Sequence, residues 1–299
     1  MKTDTRSFYA QVIQRVIEQI AGNLDEAVDL QRLAASACLS PFHFHRLFRG
    51  MVGETPLELA RRLRMERAAW QLGHSNNAVT EIAFDAGYDT HEAFTRAFRV
   101  GYSTSPSGFR GRKHKRIELV ATCGVHFDAG GRIVLFVPRD SGGSGMKVEI
   151  KDQPEMRVAA VRHVGPYNQI PEAFERLGRI AGPAGLLRPG TEMIAIYHDD
   201  PESTPIDQLR SDAAISVPRD AKLPGDLSEQ RVPAGRYACT LHVGPYEQLG
   251  DSWARLMGEW LPASGHRVGS GVSYERYLNN PLTEPDKEKL LTEMCVPIE

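Results

Sequence analysis

Arg46 and Arg96 stand 50 residues apart, and each opens the same phrase: Arg46-Leu47-Phe48-Arg49 in one place, Arg96-Ala97-Phe98-Arg99 in the other. An arginine can grip guanine or a phosphate through two parallel hydrogen bonds, and a threonine such as Thr95 can donate, accept or touch a thymine methyl. At helical period, Phe44, Leu47 and Phe48 share one face and Phe42, His45, Arg46 and Arg49 the other. In the second copy Phe94, Ala97 and Phe98 turn inward, while Glu92, Thr95, Arg96 and Arg99 turn outward. A polar, arginine-bearing stripe on a short helix is what reading a DNA major groove requires.

The elements that must carry these stripes are also duplicated. The stretch from Leu33 to Pro56, LAASACLSPFHFHRLFRGMVGETP, matches IAFDAGYDTHEAFTRAFRVGYSTSP from Ile82 to Pro106. Such self-similarity marks one supersecondary unit used twice. Each copy reads as helix, tight turn, helix. Cys38-Leu39 and Gly87-Tyr88 form the turns, Ser40 caps the second helix of the first copy with Pro41 at its first position, and Asp89 caps the other with Glu92 three residues on. PLELARRLRMERAAWQLGHS between them predicts a long helix, with Arg61, Arg62, Arg64 and Arg67 on its exposed side. It would hold the two recognition helices about one DNA turn apart, roughly 34 Å.

Charge divides along the same line. Residues 1–116 carry a net +5 and the remainder −7, which points to different partners for the two parts. Hydrophobic content of 41% and charged content of 25% are those of an ordinary globular chain, with no apolar run long enough for a membrane span and no apolar leader in MKTDTRSFYAQ. Cys38, Cys123, Cys239 and Cys295 form no CxxC pair, so free thiols in the cytoplasm are expected and a metal site is not. No phosphate loop and no nucleophile–base set appears, and no cofactor or enzymatic activity is expected. Residues 117–145 read as a connecting segment: two short strands around Asp128–Gly131, then the flexible DSGGSG of Asp140–Gly145.

A second duplication fills residues 146–299. RHVGPYNQIPEAFERLG from Arg162 is answered by LHVGPYEQLGDSWARLM from Leu241. Alternating RVAAVRHV and RYACTLHV read as half-buried strands, Gly-Pro-Tyr breaks each strand, and an amphipathic helix follows. Phe174 matches Trp253, Tyr197 matches Tyr277, and AAISVP and EMCVPI close the two copies. Each repeat therefore reads strand, helix, strand, strand (β-α-β-β), and the two pack about a pseudo-twofold axis. His163 and His242, at matched positions, are structural on this reading. The fold class is thus an all-α double helix-turn-helix domain (1–116) followed by an α+β domain (146–299).

The segment from Phe8 to Arg112 resembles the DNA-binding domain of AraC/XylS-type transcriptional regulators, through IAFDAGYDTHEAFTRAFR, GYSTSPSGFR and the weaker LAASACLSPFHFHRLFR. That resemblance implies base contacts from Phe42, His45 and Arg46, then from His91, Glu92, Thr95 and Arg96, with Arg49 and Arg99 beside them. Glu92 is acidic where such a contact is usually neutral, which favours its use in the helix cap. Lys147 to Glu299 resembles the GyrI-like effector-binding domain of multidrug-sensing regulators, through the paired HVGPY phrases, SYERYLNNP and LLTEMCVPI. The resemblance implies a cleft for small cationic or aromatic ligands centred on Glu275. Tyr246, Trp253, Trp260, Tyr274 and Tyr277 are its candidate aromatics, since ring faces attract a cation that a carboxylate neutralises. Ala195 occupies the position equivalent to Glu275 in the first repeat. Together these imply a ligand-responsive regulator, an activator by resemblance, whose partners are double-stranded promoter DNA, RNA polymerase and a small-molecule effector, with no membrane role. The alternatives are a small-molecule hydrolase with Glu275 as acid/base and a protein-binding module.

Overall fold

The computed structural model describes residues 5–111, 116–130, 136–138, 145–199 and 204–299. As far as they are described, Ser7–Ser40 and Leu47–Ser141 form one compact unit. Gly142–Glu299 forms the other, and includes Pro41–Arg46 and Met1–Arg6. No helix among the described residues is long and apolar enough to cross a membrane.

Among the described residues, seven helices make up the N-terminal third: α1 (Thr5–Gly22), α2 (Leu30–Ser36), α3 (Pro41–Val52), α4 (Pro56–His74), α5 (Val79–Asp85), α6 (His91–Tyr102) and α7 (Pro106–Arg110). The two helix-turn-helix copies close with the same hydrogen bonds. Leu39 N donates to Ala34 O and Cys38 N to Ala35 O, while Tyr88 N donates to Ala83 O and Gly87 N to Phe84 O. The residue at the corner takes a left-handed backbone in both, with φ of 56° at Cys38 and 81° at Gly87. Around the second copy, Ile82, Ala83, Phe94, Phe98 and Phe109 pack with Met65, Ala68, Ala69 and Leu72 of α4.

Two local expectations change. The cap of α6 is Thr90, whose side chain accepts from Ala93 N, so Glu92 is not the box partner and stands exposed. Among the arginines of α4, Arg61 alone is exposed. Arg62 is buried against Glu54 and Glu66 and donates to Val125 O at 2.8 Å. Arg64 donates to Leu24 O and Glu26 O, and Arg67 to Asp85 O. These guanidiniums donate to chain carbonyls and to the Glu54 and Glu66 carboxylates.

The middle segment is bound to the same helix. Glu66, wholly buried, accepts from Leu119 N at 2.9 Å, Phe127 N at 2.8 Å and His126 Nδ1 at 3.0 Å. Cys123 and Val125 are fully buried there. The expected two strands do not form within residues 116–130 or 136–138; the rest of the second one, and Asp140–Ser144 of the glycine-rich stretch, fall outside the described residues.

The C-terminal half is an eight-stranded sheet: β1 (Val148–Gln153), β2 (Met156–Val164), β3 (Met193–Tyr197), β4 (Arg210–Ser216), β5 (Ser228–Val232), β6 (Gly235–Val243), β7 (Tyr274–Tyr277) and β8 (Leu291–Pro297). Its order is β1-β6-β8-β7-β3-β4-β2-β5, antiparallel throughout. The expected strand-helix-strand-strand order holds in each repeat, with one more strand ahead of it. That extra strand is exchanged: β1 pairs with β6 of the second repeat and β5 with β2 of the first. Helix α8 (Ile170–Ala181) follows β2. Helix α9 (Leu249–Arg255) follows β6 and continues through a π-helical turn, Leu256–Trp260, into α10 (Leu261–Ser264).

The HVGPY phrase builds the strand-to-helix corner. Gly165 and Gly244 both have φ of 133°, which favours glycine, and each N–H closes on a strand-end carbonyl, Leu209 O and Leu290 O. His163 and His242 each place Nε2 on the following proline carbonyl, at 3.0 and 3.1 Å. Ala159, Val161, Ala195, Ala213 and Ile215 meet α8 on one face of the sheet, while Val158, Ala160, Ile194 and Ala214 point to the other with Tyr237, Cys239, Tyr274 and Cys295.

Cys38 is exposed, so its side chain adds strain at positive φ without packing in return. Replacing it by glycine is expected to raise stability by about 1 kcal/mol, read as a higher urea midpoint with an unchanged slope. An unchanged midpoint would mean the corner is not strained.

Candidate functional site

The two repeats meet where β3 pairs with β7, and there the equivalent residues Ala195 and Glu275 lie directly opposite each other. The pseudo-twofold axis therefore runs between them. Alanine on one side leaves room for one carboxyl group on the other. Glu275 is 2% exposed. Trp253 Nε1 on α9 donates to its Oε1 at 2.8 Å, and Tyr277 Oη donates to its Oε2 at 2.9 Å. Tyr197 Oη lies 3.1 Å from Tyr277 Oη and extends the network into the first repeat. Tyr246 and Phe174 set their rings edge-on to Tyr277, with centroids at 5.4 and 5.6 Å.

Burial drives the Glu275 carboxyl above its usual range, although the bonds from Trp253 and Tyr277 and the Arg46 charge pull the other way. Burial and the Glu275 charge push both Tyr197 and Tyr277 well above the usual phenol range. The site is thus a buried carboxyl group set among aromatic side chains, within the field of the Arg46 guanidinium.

The expected aromatics divide. Trp253, Tyr277 and Tyr246 gather at Glu275. Tyr274 does not: successive strand residues alternate faces, and its ring packs on Tyr237 on the opposite side. Trp260 lies in the π-helical turn, half-buried, with no ring contact to the group. Tyr197 and Phe174 join the site although the expected set lacked them. Their signal was symmetry, since they are the repeat mates of Tyr277 and Trp253. Arg276, next to Glu275, points to the other face and pairs with Glu192 and Glu293.

Pro41–Arg46 belong to this same unit. The Phe42 ring stands edge-on to Trp253 at 5.5 Å, and the Arg46 guanidinium lies over the Phe42 ring at 3.6 Å and 5.6 Å from that of Trp253. His43 Nε2 meets Ser273 Oγ at 2.6 Å; burial, with the Arg46 charge, lowers its pKa to about 4. The expected outward stripe of α3 is accordingly not exposed: Phe42 and His45 are buried, and Arg46 and Arg49 half-buried. The reason is the packing of Phe42 on Trp253 with Arg46 stacked above it. On α6, Glu92, Arg96 and Arg99 are exposed, and His91 and Thr95 half-buried.

Comparison with known proteins matches residues 146–299 to the GyrI-like small molecule binding domain and residues 33–112 to a helix-turn-helix domain. A DNA gyrase inhibitor from Yersinia enterocolitica is 35% identical over 136 residues, 44% of this chain and 85% of that protein. The regulatory protein SoxS of Salmonella typhimurium is 31% identical over 104 residues, 35% of this chain and 97% of that one. The EcmrR C-terminal domain crystal structure aligns with a TM-score of 0.46 at 23% identity, covering 52% of this chain and 98% of that one.

A carboxyl raised by burial destabilises the fold as it ionises, so its cost is absent below the ordinary carboxylate pKa and grows as pH rises through its raised value. Glu275→Gln is therefore expected to stabilise the ligand-free protein at pH 7, with a gain that shrinks as pH approaches 4. Melting curves across that range check the sign; a gain independent of pH would show that ionisation is not the cause.

Proposed function

Since the chain belongs to the family of the GyrI-like small molecule binding domain and carries an AraC-type helix-turn-helix region ahead of it, we propose that it is a ligand-responsive transcriptional regulator, an activator, whose effector is a cationic or aromatic molecule held on Glu275. The observation that carries the effector class is the buried carboxyl ringed by Trp253, Tyr277, Tyr197, Tyr246 and Phe174. A delocalised cation would pair with the carboxylate and stack on the rings. The chain's own Arg46, stacked on Phe42 beside Trp253, is an example of that chemistry.

The DNA contacts follow from the second recognition helix first, where Arg96 and Arg99 stand exposed beside the half-buried Thr95. Phe42, His45 and Arg46 are the proposed contacts of the first. A ligand settling against Trp253 would displace Phe42 and Arg46, which links ligand binding to the availability of residues proposed to meet DNA. Such a link is a difference in ligand affinity between two states of the chain. RNA polymerase is the proposed partner of the promoter-bound protein.

Two measurements test this. A set of aromatic ammonium ions and their neutral isosteres is screened by thermal shift on the full chain. A cation at 100 times its dissociation constant is expected to stabilise by about 2.7 kcal/mol, with the effect lost in Glu275→Gln. Equal stabilisation by the neutral isosteres removes the carboxylate from the reading, and conversion of the ligand during incubation would favour a hydrolase. On promoter DNA, Arg96→Ala is expected to weaken specific binding by about 1–3 kcal/mol at fixed salt and to relax preference at one base pair. A uniform loss across unrelated duplexes would make Arg96 a phosphate contact only.

A further inference from the structure

Cys239 and Cys295 are 56 residues apart in the chain and share no sequence motif, yet the sheet sets them side by side. They are direct partners across β6 and β8. Their sulfur atoms lie 2.9 Å apart, and both side chains are buried. The ladder identifies the type of pair. Gly244 N donates to Leu290 O at one end, and Ile298 N to Arg236 O at the other. Those hydrogen-bonded pairs alternate with non-bonded ones, and Cys239–Cys295 falls on the non-bonded step. There the two Cα atoms stand about 4.5 Å apart with the side chains drawn together, inside the span of roughly 4.4–6.8 Å that a disulfide bridges.

The two thiols are not equivalent. Cys239 lines a cavity of about 660 Å³ together with Lys151, Glu293 and Met294. Cys295 is wholly buried beside Tyr274. The hydrogen bond from Cys295, with the Lys151 ammonium, lowers the Cys239 thiol against its burial and the Glu293 charge, while the same bond and burial raise Cys295. The attacking thiolate is thus Cys239, the one that borders the cavity, and a protonated partner stands within reach beside it.

We propose that Cys239 and Cys295 are a reversible oxidation site, in which a small peroxide is reduced at Cys239 and Cys295 closes the cross-strand disulfide. In the first step the Cys239 thiolate takes one oxygen from hydrogen peroxide. The O–O bond breaks, and hydroxide leaves and is protonated to water. In the second, Cys295 gives up its proton and its sulfur attacks the sulfenic sulfur. The S–O bond breaks, and a second water leaves. Two thiols have lost two electrons, and one peroxide has become two waters. A dithiol reductant reverses the bond by exchange.

Glu293 also lies close, and the three donor atoms fall within 4.8 Å of one another, which is a set a metal ion could use. Glu293 is already paired with Lys151 and with Arg276, at 3.0 Å to the latter. A metal cation would sit among two other cations, which disfavours it against the disulfide.

The test uses the reduced full chain, titrated with hydrogen peroxide. Four free thiols are expected to fall to two, peptide mapping is expected to join Cys239 to Cys295 with the loss of two hydrogens, and dithiothreitol is expected to restore all four. In Cys295→Ser, Cys239 is expected to persist as a sulfenic acid trapped by dimedone; the wild-type map does not depend on that variant folding. Oxidation of exposed Cys38 while Cys239 and Cys295 stay reduced would overturn the proposal. So would stoichiometric zinc retained by the reduced protein and lost in Cys239→Ser.

Discussion

A carboxyl group carried out of water raises the free energy of a fold unless donors or an opposite charge meet it. Glu275 is met by two donors, Trp253 Nε1 and Tyr277 Oη, and each is in turn fixed by its element: Trp253 by α9, Tyr277 by the end of β7. Much of the C-terminal unit can be understood as support for that arrangement. The HVGPY corners aim α8 and α9 across one face of the sheet, and Ala195 gives up its side-chain volume at the centre. The π-helical turn that continues α9 begins three residues after Trp253, and such turns recur next to working sites.

Duplication supplies the scaffold, and departures from it supply the chemistry. Both repeats carry the glycine at φ 133°, the histidine on the proline carbonyl and the paired tyrosines, Tyr167 with Tyr197 and Tyr246 with Tyr277. They differ at the axis, where a symmetric pair of glutamates would face each other and could not both ionise. One glutamate and one alanine remove that conflict. The helix-turn-helix copies show the same logic in reverse, with Gly87 suited to its corner and Cys38 not.

How much of this the sequence disclosed follows from the range of each interaction. The strand-helix-strand-strand order and both helix-turn-helix units were legible because periodicity and turn residues are local. Glu275, Trp253 and Tyr277 were reachable through resemblance and spacing. Tyr274 misled because a list of aromatics ignores the strand alternation that puts it behind the sheet. The arginines of α4 misled because a buried guanidinium and a solvated one have the same local pattern; the carbonyl of Val125, which covers Arg62, comes from far along the chain. The exchanged strands and the Cys239–Cys295 pair depend on register between distant segments, which no local pattern carries.

The exchanged strands have a consequence for how the chain is made. Val148 lies opposite Thr240, and Met156 opposite Val232, so each repeat finishes its sheet with a strand from the other. During synthesis the first repeat cannot cover its edge until β5 has emerged, and β1 must wait unpaired until β6 follows. Neither repeat can be removed without taking a strand from the other repeat's part of the sheet. An ancestor with a single copy would have had to borrow its missing strand from a twin, and the fused chain keeps that debt inside one molecule.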